Sequence, residues 1–246
     1  MNKEKTDRLR EGTKRAYSAA AERPLDEHPF PVGVQFAESL GYSRELLSSL
    51  PAASTEAFSG VSNVSIFADI PTGSVVLDLG CGAGLDSFTA ARRTGTSGWV
   101  VGIDFSHSML FRAQKAAAET KTKNVEFYQA DGESLPVRSA CIDIALVNGI
   151  FNLNPKREAI FHELARVIRD GGKLYAAELI LKAPVPPEIR ENKNDWFACI
   201  TGAKEGGAFL DEFRAAGFRE ATILRTSRNA RTKDQWVLAA EVYARK

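Results

Sequence analysis

The sequence has few residues of the kinds that bind metals or form disulfide bonds. Its 246 residues include three cysteines and three histidines. The cysteines, at positions 81, 141 and 199, are odd in number, far apart and without a C-x-x-C pair. This pattern argues against a disulfide framework and against a structural zinc site. The pair His162-Glu163 lacks the second histidine of the zinc pattern H-E-x-x-H. We therefore predict no metal site.

Charge imbalance and long apolar runs are absent as well. Lys+Arg number 32 and Asp+Glu 31, so the formal net charge is +1. Such a chain has no strong overall field to attract a nucleic-acid backbone or an anionic membrane surface. No apolar run approaches the roughly 20 residues of a membrane-spanning helix. Residues 1–15 are charged, unlike a secretory signal. We expect a cytoplasmic protein that does not bind nucleic acid and has no membrane span.

Short apolar runs alternate with amphipathic segments from Gly73 onwards. We predict strands at 74–80, 99–105, 124–130, 142–148 and 173–181, and helices at 85–94, 106–120 and 155–169. The pair Gly171-Gly172 is expected to end the last of these helices. This alternation is typical of a doubly wound, mostly parallel α/β sheet with helices on both faces. A helix at 207–218 and two strands at 220–227 and 236–245 follow, and we expect these strands to pair antiparallel at one edge.

The chain divides into four predicted segments. Residues 1–56 are rich in Glu, Arg, Ala and Leu and are expected to form a helical cap. Residues 57–183 are the ligand-binding core. A Pro-rich turn begins a lid segment over 184–206, and residues 207–246 complete the sheet. One main domain with a helical extension suits a chain of this length.

A glycine loop follows the first predicted strand, in VVLDLGCGAG (75–84). Ligands of open α/β sheets bind at such carboxyl ends, and glycines let the backbone approach a ligand closely. The nicotinamide fingerprint G-x-G-x-x-G fails because position 85 is leucine. The loop is a better match to a site for a methyl donor. The ammonium of such a donor tolerates the nearby acids Asp78 and Asp86, whereas a pyrophosphate would be repelled by them. A glycine turn that serves only packing is the alternative.

Two further acids follow the second and third predicted strands. Asp104 lies about 20 residues beyond the glycine loop, where an acid can accept both ribose hydroxyls. It could instead cap the helix that starts near Ser106. Asp131, in ADGESLP, is placed where a carboxylate would meet an adenine amino group. The order and spacing of the three elements together predict a nucleoside-containing ligand.

These motifs resemble those of the class I S-adenosylmethionine-dependent methyltransferases, and within them the arsenite methyltransferase and ubiquinone/menaquinone C-methyltransferase branches. LDLGCGAGLD is similar to the family's glycine motif, GIDFSHSML to its ribose motif and NVEFYQADGESLP to its adenine motif. KRAYSAAA resembles the cap segment whose tyrosine covers the donor. The resemblance spans nearly the whole chain and implies S-adenosylmethionine as cofactor and S-adenosylhomocysteine as its product. The predicted cofactor-binding residues are Tyr17, Asp78, Gly80, Cys81, Gly82, Gly84, Asp86, Asp104, Phe105, Met109, Asp131, Gly132, Glu133 and Asn148.

The acceptor follows less directly from the resemblance. WFACITGA is similar to the late cysteine segment of the arsenite enzymes, and VNGIFNLNP to their segment after strand four. That branch gathers several thiolates on one soft ion. Here Val61 and Gly149 stand where it places two cysteines, and only Cys199 remains. We therefore expect a different small-molecule acceptor. One alternative is arsenite as the acceptor. Two others are a cofactor-binding protein without transfer activity and a nicotinamide oxidoreductase.

Methyl transfer from a sulfonium depends mainly on alignment at about 3 to 3.5 Å. The candidates to act on the acceptor are Glu178, Asn152 and Cys199. Glu178, near the end of the fifth strand, could orient or deprotonate an acceptor, or pair with a neighbouring cation. Asn152 could line the cleft or belong to a turn, and the same choice holds for Asn148. Cys199 falls in the predicted lid, together with Trp196.

A basic cluster surrounds the last predicted hairpin turn. Its members are Arg225, Arg228, Arg231 and Lys233. We expect a solvated loop, with contact to an acidic substrate as the alternative.

Overall fold

A seven-stranded β-sheet runs through the computed structural model, which describes residues 3–182, 202–232 and 236–246. The strands are β1 (Val75–Leu79), β2 (Trp99–Asp104), β3 (Val125–Gln129), β4 (Ile142–Asn148), β5 (Ile168–Leu181), β6 (Glu220–Arg228) and β7 (Val237–Arg245). Their order is β3-β2-β1-β4-β5-β7-β6. Strands β1 to β5 pair in parallel, and β7 is antiparallel to both β5 and β6. The predicted doubly wound, mostly parallel sheet is confirmed, as is the antiparallel pairing of the last two strands.

Helices precede the sheet and connect its strands. They are α1 (Lys3–Glu22), α2 (Val34–Ser39), α3 (Arg44–Ser49), α4 (Ala52–Glu56), α5 (Val64–Phe67), α6 (Leu85–Thr94), α7 (His107–Thr120), α8 (Arg157–Val167) and α9 (Gly206–Ala215). A short 3-10 helix, Phe151–Leu153, follows β4. Helix α7 begins where the Ser106 hydroxyl accepts the backbone N–H of Met109, which satisfies one of the N–H groups left unpaired at a helix start.

The apolar side chains of the central strands alternate between two cores. On β4, Ile144 and Leu146 face one core and Ala145 and Val147 face the other. This alternation follows from the two-residue period of a strand, and both faces are buried because helices cover both. The second core is built around an aromatic group formed by Phe151, Phe161, Phe209 and Phe213. The rings of Phe151 and Phe161 stack with centroids 4.3 Å apart.

The pair Gly171-Gly172 does not end helix α8, so that prediction is wrong. The helix ends at Val167, and Ile168 is already extended, with φ −71° and ψ 133°. Ile168 pairs with Ile142 of β4, after which the register shifts. A Cβ on Gly172 would lie 2.6 Å from the Ile168 side chain. The glycines therefore serve the irregular start of β5 rather than a helix end.

Strand β1 lies between β2 and β4, so the strand order runs in opposite directions on its two sides. In open α/β sheets the crevice at such a switch point, beyond the carboxyl ends of the strands, is where ligands bind. Most of the predicted lid, with Trp196 and Cys199, lies outside the described residues, and so does Lys233. Within the described ranges, no helix is both long and apolar enough to cross a membrane.

Candidate functional site

The loop after β1 is held open by backbone that only glycine adopts easily. Gly80 and Gly82 have φ of +76° and +53°. The N–H groups of Gly80 and Cys81 both donate to the carbonyl of Ile103, at 2.8 and 3.1 Å. A Cβ on Gly80 would lie 2.3 Å from Cγ2 of Ile150. Any larger residue would therefore displace either the loop or Ile150.

Asp104 ties this loop to the start of helix α7. Its Oδ2 accepts the N–H of Gly82 at 2.9 Å, and its Oδ1 accepts the N–H of Ser106 at 2.8 Å. Burial raises the pKa of the carboxyl group, although these N–H groups act in the opposite direction. Each oxygen keeps a further lone pair, so the carboxylate can hold the loop in place and still accept hydrogen bonds from a ligand.

Two contiguous cavities lie at the carboxyl ends of the strands, with volumes of about 190 and 50 Å³. The residues that line both are Gly80, Asp104, Phe105, Ile150 and Leu153. Asp104 therefore stands at the junction of the two cavities. An elongated ligand that occupied both would pass the five residues that the cavities share, and Asp104 is the charged one among them.

The larger cavity combines apolar walls with acidic groups. Leu79, Ile103 and Ile160 contribute hydrocarbon, and Asp131 and Asp104 contribute carboxylates. A flat apolar ring with an amino group at its edge suits such a lining, because the ring contacts hydrocarbon and the amino group donates to a carboxylate.

The smaller cavity contains two acids, Asp78 and Asp86, in different surroundings. Asp86 accepts hydrogen bonds from the Tyr42 hydroxyl at 2.6 Å, the Asn148 amide at 3.0 Å and the Ser65 N–H at 3.2 Å. The Asp78 carboxylate accepts the Ser87 hydroxyl. Burial, and then the negative charge of Asp86, raise the pKa of Asp78 to about 8. A ligand cation at Asp78 would favour its charged form.

Helix α1 of the N-terminal segment covers the larger cavity. Its residues Arg10, Thr13 and Lys14 line that cavity. The Arg10 guanidinium forms ion pairs with Asp131 and, at 2.9 Å, with Glu133. The cavity is therefore closed by charged contacts between α1 and the loop after β3.

Comparison with known proteins identifies the family. A model described as a methyltransferase domain matches residues 70–222, which include the glycine loop, Asp104 and Asp131. The chain belongs to the methyltransferase domain family. S-adenosylmethionine is accordingly its cofactor, as predicted, and solved structures with a similar fold hold S-adenosylmethionine or S-adenosylhomocysteine.

Relatives of this chain are named for different activities. An arsenite methyltransferase of Halobacterium salinarum is 31% identical over 202 residues, which cover 81% of this chain and 51% of that relative. A demethylmenaquinone methyltransferase of Lactococcus lactis is 34% identical over 107 residues, 44% of this chain and 42% of the relative. The crystal structure of an arsenic(III) methyltransferase from Chlamydomonas reinhardtii superposes with a TM-score of 0.74 at 25% identity, covering 82% of this chain and 72% of that one. The predicted resemblance to both branches is confirmed. The chain spans about half the length of the first arsenite methyltransferases it matches.

The described residues of this methyltransferase domain fit S-adenosylmethionine. The larger cavity suits adenine, Asp104 lies where the ribose would cross between cavities, and the acids of the smaller cavity suit the ammonium of the methionine end. All predicted cofactor-binding residues except Gly84 and Glu133 line one of the two cavities. Gly84 instead directly precedes helix α6, with φ +91°, and Glu133 pairs with Arg10 and Lys156.

Asn148 and Tyr17 both line the smaller cavity, although they are far apart in the sequence. The Asn148 amide accepts the Val61 N–H at 2.8 Å and donates to the Ser62 carbonyl at 2.8 Å. It therefore fixes the segment before α5 against the end of β4. Tyr17 of α1 stacks on Phe30, with ring centroids 4.4 Å apart.

The residues predicted to act on the acceptor do not line these cavities in the described part of the chain. Glu178 is fully buried, and its carboxylate accepts the N–H groups of Leu179 and Asn152 at 2.9 and 3.2 Å. Burial raises its pKa, although the charge of Arg157 acts in the opposite direction. The Asn152 side chain accepts a hydrogen bond from Arg157 at 2.8 Å. A role of Glu178, Asn152 or Cys199 in the chemistry stays a prediction.

Several residues that line the cavities were not predicted from the sequence. Ile150 and Leu153 line both cavities from the segment after β4. The rule that ligands meet strand carboxyl ends could have identified them, because they directly follow a predicted strand. Arg10 and Lys14 belong to a cap helix without a recognisable motif, so only the folded structure brings them to the cavity.

Replacing Arg10 with alanine should weaken S-adenosylmethionine binding about twofold to thirtyfold, because a half-exposed ion pair contributes about 0.2–1 kcal/mol and Arg10 makes two. Calorimetric titration would measure the change, which should shrink at high salt as the ion pairs are screened. Arg8→Ala is the matched control, since Arg8 lies on the same helix and pairs with Glu4. Tighter binding by Arg10→Ala would mean that Arg10 competes with adenine for Asp131.

Proposed function

We propose that this chain transfers a methyl group from S-adenosylmethionine to a small-molecule acceptor. The observation that carries the proposal is the position of Asp104 at the junction of two contiguous cavities, one suited to adenine and one to an ammonium group. Membership of the methyltransferase domain family supports it. The glycine loop, whose pattern favours a methyl donor over a dinucleotide, supports it too.

When bound, S-adenosylmethionine supplies a methyl group on a positively charged sulfur. As the acceptor atom bonds to the methyl carbon, the bond from that carbon to sulfur breaks, and the sulfur leaves as a neutral thioether. The chain's contribution is to hold both reactants in line and exclude water. The smaller cavity is suited to this work, because Phe58, Leu153 and Met109 wall it with apolar groups.

The packing around Val61 argues for an acceptor other than arsenite. A Cβ on Gly149 would lie 2.9 Å from Cγ2 of Val61, so these two positions are neighbours in space. They are the positions where the arsenite branch places cysteines, and here a buried valine and a bare backbone occupy them. Arsenic binds best to thiolates. Burial raises the pKa of the Cys81 thiol, so this cysteine does not supply one readily.

Arsenite nevertheless remains the second candidate, because relatives similar to this chain are named arsenite methyltransferases. The two candidates differ in their dependence on Cys199, the cysteine that the sequence places in the lid. If the acceptor is not a soft ion, Cys199→Ser should keep its activity within about twofold of the wild type, because only a soft ion depends on a thiolate ligand. Initial rates with the identified acceptor would measure this. Complete loss of turnover would favour the metalloid.

The proposal is tested by incubating the pure protein with methyl-labelled S-adenosylmethionine, in one series with arsenite and a thiol and in another with a metabolite extract. Mass spectrometry then identifies labelled products. A labelled organic product would support the proposal and name the acceptor class, and labelled arsenicals would favour the second candidate. Asp104→Ala serves as the control without donor binding. Donor binding by the wild type without product in either series would favour a cofactor-binding protein that lacks transfer activity.

A cytoplasmic location, and a partner set limited to small molecules, belong to the same proposal. They are supported by the nearly balanced charge and the lack of long apolar runs in the sequence.

A further inference from the structure

Arg231 lies in the loop between β6 and β7, in a position that the sequence did not indicate. We expected a solvated basic loop there, but the side chain of Arg231 is 4% exposed, so this expectation is wrong for Arg231. Its neighbour Arg228, at the end of β6, is exposed as expected. Burying a guanidinium is costly unless hydrogen bonds replace water. Contacts within the protein therefore have to compensate for the water that the guanidinium has lost.

The guanidinium of Arg231 joins three segments that are distant in sequence. Its Nη2 donates to the Tyr17 hydroxyl at 2.5 Å. Its Nη1 donates to the Ser59 hydroxyl at 3.0 Å and to the Gly60 carbonyl at 3.1 Å. Its Cζ lies 5.1 Å from the centroid of the Phe30 ring, within the range of a cation–π contact. The planar fork of arginine suits this arrangement, since one group serves several acceptors in fixed directions.

Two of these partners line the smaller cavity. Tyr17 and Ser59 both belong to its wall, together with Cys81, Met109 and Asp104 of the cofactor site. Tyr17 also stacks on Phe30, the ring over which Arg231 lies. Arg231 thus holds one wall of the cavity from behind, through the hydroxyl of Tyr17 and the backbone next to Ser59.

The segment held by Arg231 also contacts Asn148, another residue that lines the cavity. A Cβ on Gly60 would lie 2.7 Å from the amide nitrogen of Asn148, so Gly60 packs directly against the end of β4. Asn148 in turn binds the N–H of Val61 and the carboxylate of Asp86. A shift of Arg231 would therefore be transmitted to Asn148 and Asp86, which also line the smaller cavity.

We propose that Arg231 is a positioning residue, which places Tyr17 and Ser59 against the methionine end of the donor and so couples the last hairpin loop to the N-terminal cap. The inference rests on the proposed function, because it assumes that the smaller cavity receives the donor. Arg231 acts through its two partners rather than on the donor itself. A small displacement of such a wall can cost up to about a hundredfold in rate, because methyl transfer depends on alignment.

The test compares donor binding by four proteins: the wild type, Tyr17→Phe, Arg231→Met and the double variant. Tyr17→Phe keeps the ring on Phe30 and removes only the hydroxyl that Arg231 holds. We expect the dissociation constant for S-adenosylmethionine to rise about tenfold in each single variant, because the donor must then order a wall that Arg231 no longer holds in place. The double variant should be no weaker than Arg231→Met, because the two changes remove the same contact.

Arg228→Met is the matched control, since it removes an exposed arginine from the same hairpin and should bind the donor like the wild type. Arg231→Lys should recover only part of the affinity, because an ammonium group cannot reproduce the fork. Binding is measured by calorimetry well below the melting temperature of each variant, so that a purely structural role would leave the dissociation constant unchanged.

Wild-type affinity in folded Tyr17→Phe, or additive losses in the double variant, would overturn the inference while leaving the proposed function intact. If Arg231→Met does not fold, the affinity of folded Tyr17→Phe decides: a weakened affinity supports the inference, and a wild-type affinity overturns it. Failure of the wild type to bind S-adenosylmethionine would instead overturn the proposed function, and this inference with it.

Discussion

Asp104→Ala should reduce the affinity for S-adenosylmethionine at least a hundredfold. A hydrogen bond to a charged group contributes about 1.5–3 kcal/mol, and the carboxylate is placed to accept two from the ribose, so a loss of about 3 kcal/mol is a low estimate. The variant also leaves the N–H groups of Gly82 and Ser106 without their acceptor. The glycine loop should therefore lose its shape at the same time.

Calorimetric titration with S-adenosylmethionine measures the effect, and thermal unfolding shows whether the variant is folded. Asp143→Ala is the matched control, because Asp143 also accepts a backbone N–H, from Val75 at 2.7 Å, but at the amino end of β1, away from both cavities. Its donor affinity should equal that of the wild type. Unchanged affinity in folded Asp104→Ala would show that the ribose does not lie at the junction of the cavities.

Asparagine at position 104 is not a neutral replacement. Both carboxylate oxygens accept backbone N–H groups in the native structure. The amide group of asparagine would have to direct its NH2 at one of those donors. We expect Asp104→Asn to be nearly as weak as Asp104→Ala, which would show that two acceptors, and not only the volume of the side chain, are required.

The sheet and its central motifs could be predicted from the sequence because their signals are local. A buried strand such as VVLDL is a continuous apolar run, and the glycine loop and Asp104 follow strand ends at fixed offsets. The start of β5 could not be predicted in this way, because a Gly-Gly pair such as Gly171-Gly172 looks the same in the sequence at a helix end and at an irregularity in a strand. Only the pairing of Ile168 with Ile142 decides between the two.

The site was predicted least well where contacts join distant parts of the chain. Arg10 reaches Asp131 from the first helix, and Arg231 reaches Tyr17 across more than 200 residues. Neither arginine belongs to a periodic pattern or a motif, so its burial depends on the tertiary structure alone. The basic cluster around Arg231 was interpreted from composition, and composition cannot distinguish one buried member from exposed neighbours.

Donor affinity should rise with pH between about pH 6 and about pH 7.5, by up to about tenfold per pH unit for a single linked proton. The group responsible is Asp78, whose pKa is raised to about 8 by burial and by the charge of Asp86. In the free protein Asp78 is therefore mostly protonated over this range. The ammonium of the donor favours the charged carboxylate, so binding lowers the pKa and releases a proton.

The sign of the effect follows from that release. Because the complex binds fewer protons than the free protein below about pH 8, raising the pH towards that value favours the complex. The ammonium of the donor stays mostly charged below about pH 7.7, so its own titration contributes little. Calorimetry in two buffers of different ionisation enthalpy would count the released proton. Asp78→Asn should bind more weakly at about pH 7.5, with almost no pH dependence, because its amide does not titrate. We expect the ammonium at Asp78 because Asp86 already accepts three hydrogen bonds. A wild-type affinity that did not change with pH would place the ammonium away from Asp78.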